Sequence, residues 1–228
     1  MAERASVLVA GATGLIGRAL LNRLAGDPRV GAVTALVRRT SARQAWPAGC
    51  QALAVDYSTL GAASAPGLPK ADWAFCCLGT TIKVAGSQDA FRAVDFDAVL
   101  AFARAARAAG ATRFGLVSAM GASERSSVFY NRVKGEVERE LSAHGWPHLV
   151  IARPSLLLGE RGALGQPARP GEQLAQRLMP ALGWLIPKSL RPITDQAVAA
   201  ALLAGVAEAR PGTTVLESGA LADLAARA

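Results

Sequence analysis

The chain is poor in cysteine, aromatics and lysine, and it has no long apolar run. Its three cysteines, Cys50, Cys76 and Cys77, are too few for a disulfide framework, and two of them are neighbours. Such usage suits a reducing cytosol, so a cytoplasmic protein is expected. Aromatics make up 5% of the residues, which leaves Ala, Leu and Val to build a core. Apolar runs are cut by Arg, Gly or Pro well short of the roughly 18 residues a membrane span needs. Met1-Ala-Glu-Arg-Ala-Ser6 enters an apolar stretch without a signal-peptide h-region or cleavage site, and no membrane association is expected. Histidine is limited to His144 and His148, neither with a ligand-spaced partner, so no metal site is expected. The net charge of +8 would suit an anionic partner. However, the lysines are only Lys70, Lys83, Lys134 and Lys188, and the arginines are scattered. No basic run alternates with aromatics, so no nucleic-acid partner is expected.

What is present is a globular chain. Hydrophobic residues at 51% against 18% charged exclude a disordered protein, and 228 residues favour one domain. No repeat or long linker divides it. Short apolar runs alternate with helical patterns, the mark of a parallel α/β sheet. Strands are expected at 6–10, 33–37, 52–55, 73–78, 114–118 and 148–152, all nearly continuous hydrophobic runs as in a sheet covered on both faces. Helices are expected at 15–24, with Leu15, Ala19, Leu20 and Leu24 on one side, at 90–109 and at 129–144. Residues 159–171, rich in Gly, Pro and Arg, read as a loop over the sheet's carboxyl edge. Helical patterns follow at 173–182 and 195–209, the latter capped by Asp195 or Thr194, and 215–217 suggest a last strand. The whole chain, 1–228, reads as a single nucleotide-binding domain with 155–215 forming a loop and helices over the cleft.

Gly11-Ala-Thr13-Gly14-Leu15-Ile16-Gly17 lies between the first strand and the first helix. Gly11 permits a tight turn, Gly14 lets main-chain amides approach a pyrophosphate, and Gly17 lets the helix pack closely. The free N–H groups of the helix start favour phosphate, and this context points to a dinucleotide held by Gly11, Thr13, Gly14, Leu15, Ile16 and Gly17. The second strand ends in Val37-Arg38-Arg39-Thr40, where an NAD-specific site would carry a carboxylate for the ribose hydroxyl. Arg38 and Arg39 attract a 2′-phosphate instead, so NADP(H) is expected over NAD(H). Asp56 and Tyr57, after the third strand, are placed to reach the adenine edge, and Asp56 equally can cap the next turn.

Tyr130-Asn-Arg-Val-Lys134 sets a phenol and an ammonium four positions apart at the start of a helix, on one face. The ammonium can lower the phenol's pKa and bind the nicotinamide ribose, while the phenol exchanges a proton with a carbonyl or alcohol oxygen. Ser118 ends the preceding strand and can hold the same oxygen. Ser118, Tyr130 and Lys134 are thus expected to be catalytic and to border the cofactor. Cys76 and Cys77 read as core residues, and Arg153-Pro154 either orients substrate or ends the sixth strand. Trp184, Leu185 and Ile186 either wall a pocket or pack the C-terminal lobe.

The order Gly11, Gly14, Gly17, Ser118, Tyr130, Lys134, Arg153-Pro154 resembles the atypical short-chain dehydrogenase/reductases. Within them the chain looks most like the Tat-interacting oxidoreductase-like proteins. Phe75-Cys-Cys-Leu-Gly-Thr-Thr81, Tyr130-Asn-Arg-Val-Lys-Gly-Glu-Val-Glu138 and Arg169-Pro-Gly-Glu172 carry that likeness, which continues to Leu216-Glu217 and Asp223-Leu224. The resemblance implies a Rossmann-type doubly wound parallel sheet with a short C-terminal lobe, and NADPH binding. It also implies that Leu78, Gly79 and Thr80 edge the cofactor and that Leu157 and Arg169 close over its nicotinamide side. Val94-Asp95 departs from the family pattern, in which related enzymes often carry Asn.

The function expected is hydride transfer between NADP(H) and a small carbonyl or alcohol substrate of unknown identity. The alternatives are a non-catalytic NADPH-bound regulatory or interaction protein and a nucleotide-sugar epimerase or dehydratase. The short segment after Pro154 weakens the epimerase or dehydratase reading. A flavin-reducing relative needs no Tyr–Lys pair. Helices around 98–109 and 133–141 either pair across a homodimer or pack within one chain, and a protein partner stays open.

Overall fold

The computed structural model describes residues 4–39, 45–61, 67–158 and 190–228. Apolar, mostly β-branched or small residues in short runs form β1 (Ala5–Ala10), β2 (Val30–Val37), β3 (Cys50–Ala54), β4 (Trp73–Cys76), β5 (Arg113–Val117), β6 (His148–Arg153) and β9 (Gly212–Glu217). These seven strands make one sheet in the order β3-β2-β1-β4-β5-β6-β9, and every pairing is parallel. The chain leaves β1 toward β2 and β3, then crosses back to β4 on the other side. A crevice therefore opens at the carboxyl ends of β1 and β4, where such sheets bind ligands. The Rossmann-type α/β fold expected from the sequence is the fold observed.

Strand alternation divides the core. Val7 and Val9 of β1 face one layer, with Leu20 and Leu24 of α1 (Leu15–Gly26) and Val198 and Leu202 of a late helix, Asp195–Ala207. Leu8 and Ala10 face the other, with Phe102 of α4 (Ala98–Ala108) and Val137 and Leu141 of α5 (Phe129–Ala143). The apolar faces of α4 and α5 are thus buried within the chain's own core. The Asp195–Ala207 helix, α6, starts where the Thr194 hydroxyl accepts a hydrogen bond from the Ala197 amide, so Thr194 rather than Asp195 is its cap.

Several expectations change. The helix expected over 90–109 is three pieces: α3 (Gln88–Arg92), a π-turn (Ala93–Asp97) and α4. Apolar periodicity cannot register the one extra residue per turn that a π-bulge inserts. On α1 Ile16 takes the buried position expected of Leu15, which is half-buried. β4 stops at Cys76 and β5 at Val117, leaving Ser118 one residue beyond the strand. β3 is a rim strand with no fully buried residue despite its apolar sequence, because only one neighbour covers it. Three further elements have no clear periodic signal: α2 (Ile82–Ala85), the short parallel pair β7 (Leu157–Leu158) and β8 (Ile193–Thr194), and α7 (Ser218–Ala225). The loop expected at 159–171, the helix at 173–182 and Trp184 to Ile186 lie outside the described residues.

Candidate functional site

The glycine turn sits at the crevice. Gly11 takes φ +76°, and a Cβ there would stand 2.4 Å from the Cys77 carbonyl, so β1 turns against the end of β4 only with glycine. A Cβ on Gly17 would lie 2.2 Å from the Gly11 carbonyl oxygen. Gly17 therefore serves contact between helix and turn more than contact with the strand. Gly14 differs, because its added Cβ would meet nothing closer than the Gly11 oxygen at 3.4 Å. The protein does not need that glycine for its own packing, whereas a ligand approaching the main chain does. Gly14 is also the N-cap of α1 and offers no side-chain cap to the first turn. Free amides, the helix dipole and an uncovered main chain form an anion cradle, and a dinucleotide's pyrophosphate fits it. Thr13 is exposed, Leu15 half-buried and Ile16 buried.

Arg38 and Arg39 follow β2 at the same edge, both exposed, and neither joins an ion pair among the described residues. Asp56 takes the capping role: its Oδ1 accepts from the Ser58 amide at 2.9 Å and from the Ser58 hydroxyl at 2.6 Å. These bonds hold its carboxyl below the usual range. Tyr57 turns inward. Its hydroxyl donates to the Leu36 carbonyl at 3.3 Å and interacts with the Gly11 amide. Burial, followed by the neighbouring Cys76, pushes its phenol up. Tyr57 thus lies beneath the glycine turn. Leu78 and Thr80 are half-buried and Gly79 exposed, just past β4.

Tyr130 and Lys134 occupy the first and second turns of α5. The Tyr130 ring rests against Phe91, centroids 5.6 Å apart. Lys134 is 4% exposed, and its ammonium lies 2.7 Å from Oδ1 of Asp95 in the π-turn. Burial works against the charge, but the Asp95 carboxylate, and then Tyr130, outweigh it and hold Lys134 above the usual lysine range. The other carboxylate oxygen of Asp95 accepts from the Thr80 amide at 2.8 Å. Cys76 is fully buried nearby, and desolvation pushes its thiol up to about 12, so it is a protonated core residue.

Ser118 is 4% exposed, and its hydroxyl donates to Oε1 of Glu138, one turn beyond Lys134 on α5. Arg153 also binds Glu138, its Nε 3.1 Å from Oε1 and an Nη 2.5 Å from Oε2, and reaches Glu217 at 2.9 Å. The hydrogen bonds to Glu138 raise the Arg153 pKa above its usual value. A carboxylate paired with arginine only accepts, so Ser118 spends its single proton there. What Ser118 can offer a substrate is lone pairs, which suit an alcohol's O–H and not a carbonyl oxygen. Arg153 closes β6 and is tied to two acids, Glu138 and Glu217. Leu157 pairs with Ile193 and packs against the α1–α6 core layer. Arg169 lies outside the described residues.

Glu138 is the residue that sequence reasoning passed over, and Asp95, noted there only as a departure from Asn, was given no partner. Glu138 stands four positions after Lys134 and shares its helix face, which was a usable signal. The contact of Asp95 with Lys134 depends on the π-turn and had none.

Residues 11–176 match the family model described as NAD(P)H-binding. Protein HTATIP2 of Rattus norvegicus is 38% identical over 182 residues, 79% of this chain and 72% of that protein. Protein FMP52, mitochondrial, of Eremothecium gossypii is 39% identical over 156 residues, 68% of each chain. Among solved structures, MoeE5 in complex with UDP-glucose and NAD superposes with a TM-score of 0.66 at 17% identity, covering 97% of this chain and 81% of that one. The oxidoreductase ylbE from Lactococcus lactis gives 0.55 at 20%, covering 68% and 71%. The cytoplasmic placement expected from cysteine usage is corrected by these names, since several fungal relatives are called mitochondrial. Free thiols indicate reducing surroundings and do not say which compartment provides them. The matched span takes in the glycine turn, Ser118, Tyr130 and Lys134, and the chain belongs to the NAD(P)H-binding family.

Proposed function

We propose that the protein is an NADP(H)-dependent oxidoreductase of short-chain dehydrogenase/reductase type, acting on a small carbonyl or alcohol substrate. The supporting observation is the half-buried Tyr130 phenol, one helical turn from a buried ammonium, on a parallel sheet whose glycine turn leaves main-chain amides open to an anion. Gly11, Gly14 and Gly17 would hold the pyrophosphate, and Arg38 and Arg39 the 2′-phosphate. Leu78, Gly79 and Thr80 would edge the cofactor, as would Leu157 and Arg169 if they follow the family. The bound nicotinamide supplies a hydride to a carbonyl carbon, or accepts one from an alcohol carbon. In reduction the Tyr130 hydroxyl delivers its proton to the carbonyl oxygen as the carbon–hydrogen bond forms; in oxidation the phenolate takes the alcohol's proton. Lys134 fixes the charge beside that phenol, and Ser118, whose own proton is held by Glu138, would border the substrate oxygen without taking its proton.

A panel of carbonyl compounds, followed by nicotinamide absorbance, tests the reading. Tyr130→Phe is expected to keep NADPH affinity within about threefold and to lose at least a hundredfold in turnover, the lower bound for an acid–base group. Turnover of every accepted compound at the wild-type rate would remove Tyr130 from the chemistry. Arg38→Glu with Arg39→Glu should weaken NADPH far more than NADH. Equal weakening would remove the preference for the phosphorylated nucleotide. A second reading, binding without turnover, is favoured by one observation: the Ser118 proton and the Lys134 charge are both engaged by acids of the protein itself. Tight NADPH binding with no turnover across the panel would support it.

A further inference from the structure

A Tyr-x-x-x-Lys pair normally offers a bound nucleotide a free ammonium. Here that ammonium has a counter-charge already in place. Asp95 is 1% exposed and Lys134 4%, their charged atoms lie 2.7 Å apart, and the second carboxylate oxygen is held by the Thr80 amide. An asparagine could accept from Thr80, but it would leave the ammonium without compensation, whereas a carboxylate satisfies both. The pair faces the crevice at Gly79, where an added Cβ would stand 3.5 Å from Asp95 Oδ1 and 3.7 Å from Lys134 Nζ. Glycine there places no side chain of its own between the two charges and the edge that the dinucleotide is proposed to occupy.

We infer that Asp95 is a positioning residue that holds Lys134 as half of a buried neutral pair, and that this pairing sets the relative affinity of the site for oxidised and reduced nicotinamide dinucleotide. The inference rests on the dinucleotide reading above and deepens it. The oxidised nicotinamide ring carries a positive charge that the reduced ring lacks. A lone ammonium nearby disfavours the oxidised form, a lone carboxylate favours it, and a paired ammonium and carboxylate do neither. The groups acting on the Lys134 charge are Asp95, Tyr130 and Cys76, and Cys76 is a neutral thiol, so Asp95 is the partner that balances it.

The test is calorimetric titration of NADP+ and NADPH, at one pH and ionic strength, into wild type, Asp95→Asn, Lys134→Met and the double variant. Asp95→Asn is expected to shift the affinity ratio toward the reduced nucleotide by about tenfold. Lys134→Met should shift it the opposite way, and the double variant should return within about twofold of wild type. A purely structural role would weaken both nucleotides together and leave the ratio unmoved. If Asp95→Asn does not fold, the opposite shift in Lys134→Met and its reversal in the double variant carry the inference. Ratios within twofold of wild type in the folded single variants, or shifts of the same sign, overturn it. That result would leave the dinucleotide reading intact. A wild-type protein that binds neither nucleotide would instead overturn the dinucleotide reading, and the inference with it.

Discussion

Glu138 shows how a single acid can organise a site without facing the substrate. Its side chain is 7% exposed, and it takes the hydroxyl of Ser118 and two guanidinium nitrogens of Arg153. Removing one partner of such a pair leaves the other's charge uncompensated, and the penalty runs to about 3 kcal/mol. Glu138→Gln is expected to lose about that much stability in urea unfolding, partly spared because Arg153 retains Glu217. Glu138→Leu, which leaves no acceptor at that position, makes Ser118 free to donate elsewhere, so affinity for a carbonyl compound bound at Tyr130 should rise while affinity for the matching alcohol does not. A loss of less than about 0.5 kcal/mol in Glu138→Gln, the scale of an exposed pair, would show that the network is not held as described.

At the scale of elements, the site depends on how closely α5 approaches the segment after β5. Gly135 sits one residue past Lys134, and a Cβ there would come within 2.2 Å of the Ser123 carbonyl carbon and 2.3 Å of the Glu124 amide nitrogen. Both are main-chain atoms, so the helix as a whole has to retreat. Gly135→Ala is expected to cost about 1–3 kcal/mol as overpacking, and to weaken turnover more than nucleotide binding because Tyr130 and Lys134 move with the helix. Thermal midpoints and NADPH titration check this. The opposite pattern, lost binding with intact turnover per bound nucleotide, would contradict it. The π-turn belongs to the same scale. Its extra residue seats Asp95 over Lys134 and lets α4 continue beyond it, and helical periodicity in the sequence passes through it without a mark.

For the whole molecule, nucleotide binding and folding are linked. At a concentration a hundredfold above Kd, NADPH contributes about 2.7 kcal/mol to stability, which for a chain of this size corresponds to about 5–10 °C in the thermal midpoint. NADH at the same concentration should give a smaller shift if Arg38 and Arg39 read the 2′-phosphate, and a melting scan with each nucleotide decides it. The fold was legible because parallel strands covered on both faces must be apolar throughout, and the runs at Ser6–Ala10, Phe114–Val117 and His148–Ala152 could hardly be anything else. The glycine turn was legible because its context was local. Ser118 and Asp95 were only half legible. Ser118 was named for its hydroxyl, but the direction of its hydrogen bond is fixed by Glu138, which only the folded chain brings beside it. α7 and the β7–β8 pair are short, and their stability comes from docking rather than from any pattern of their own.

Tyr57 gives the sheet's outer rim a say in what happens at its centre. The residue follows β3, the last strand on its side, yet its hydroxyl reaches the end of β2 and the amide of Gly11. It is a prop beneath the anion cradle, supplied by the most peripheral strand of the fold. Sequence drift along that rim, far from any bound molecule, would therefore be felt as a sagging or tightening of the floor on which the phosphates rest.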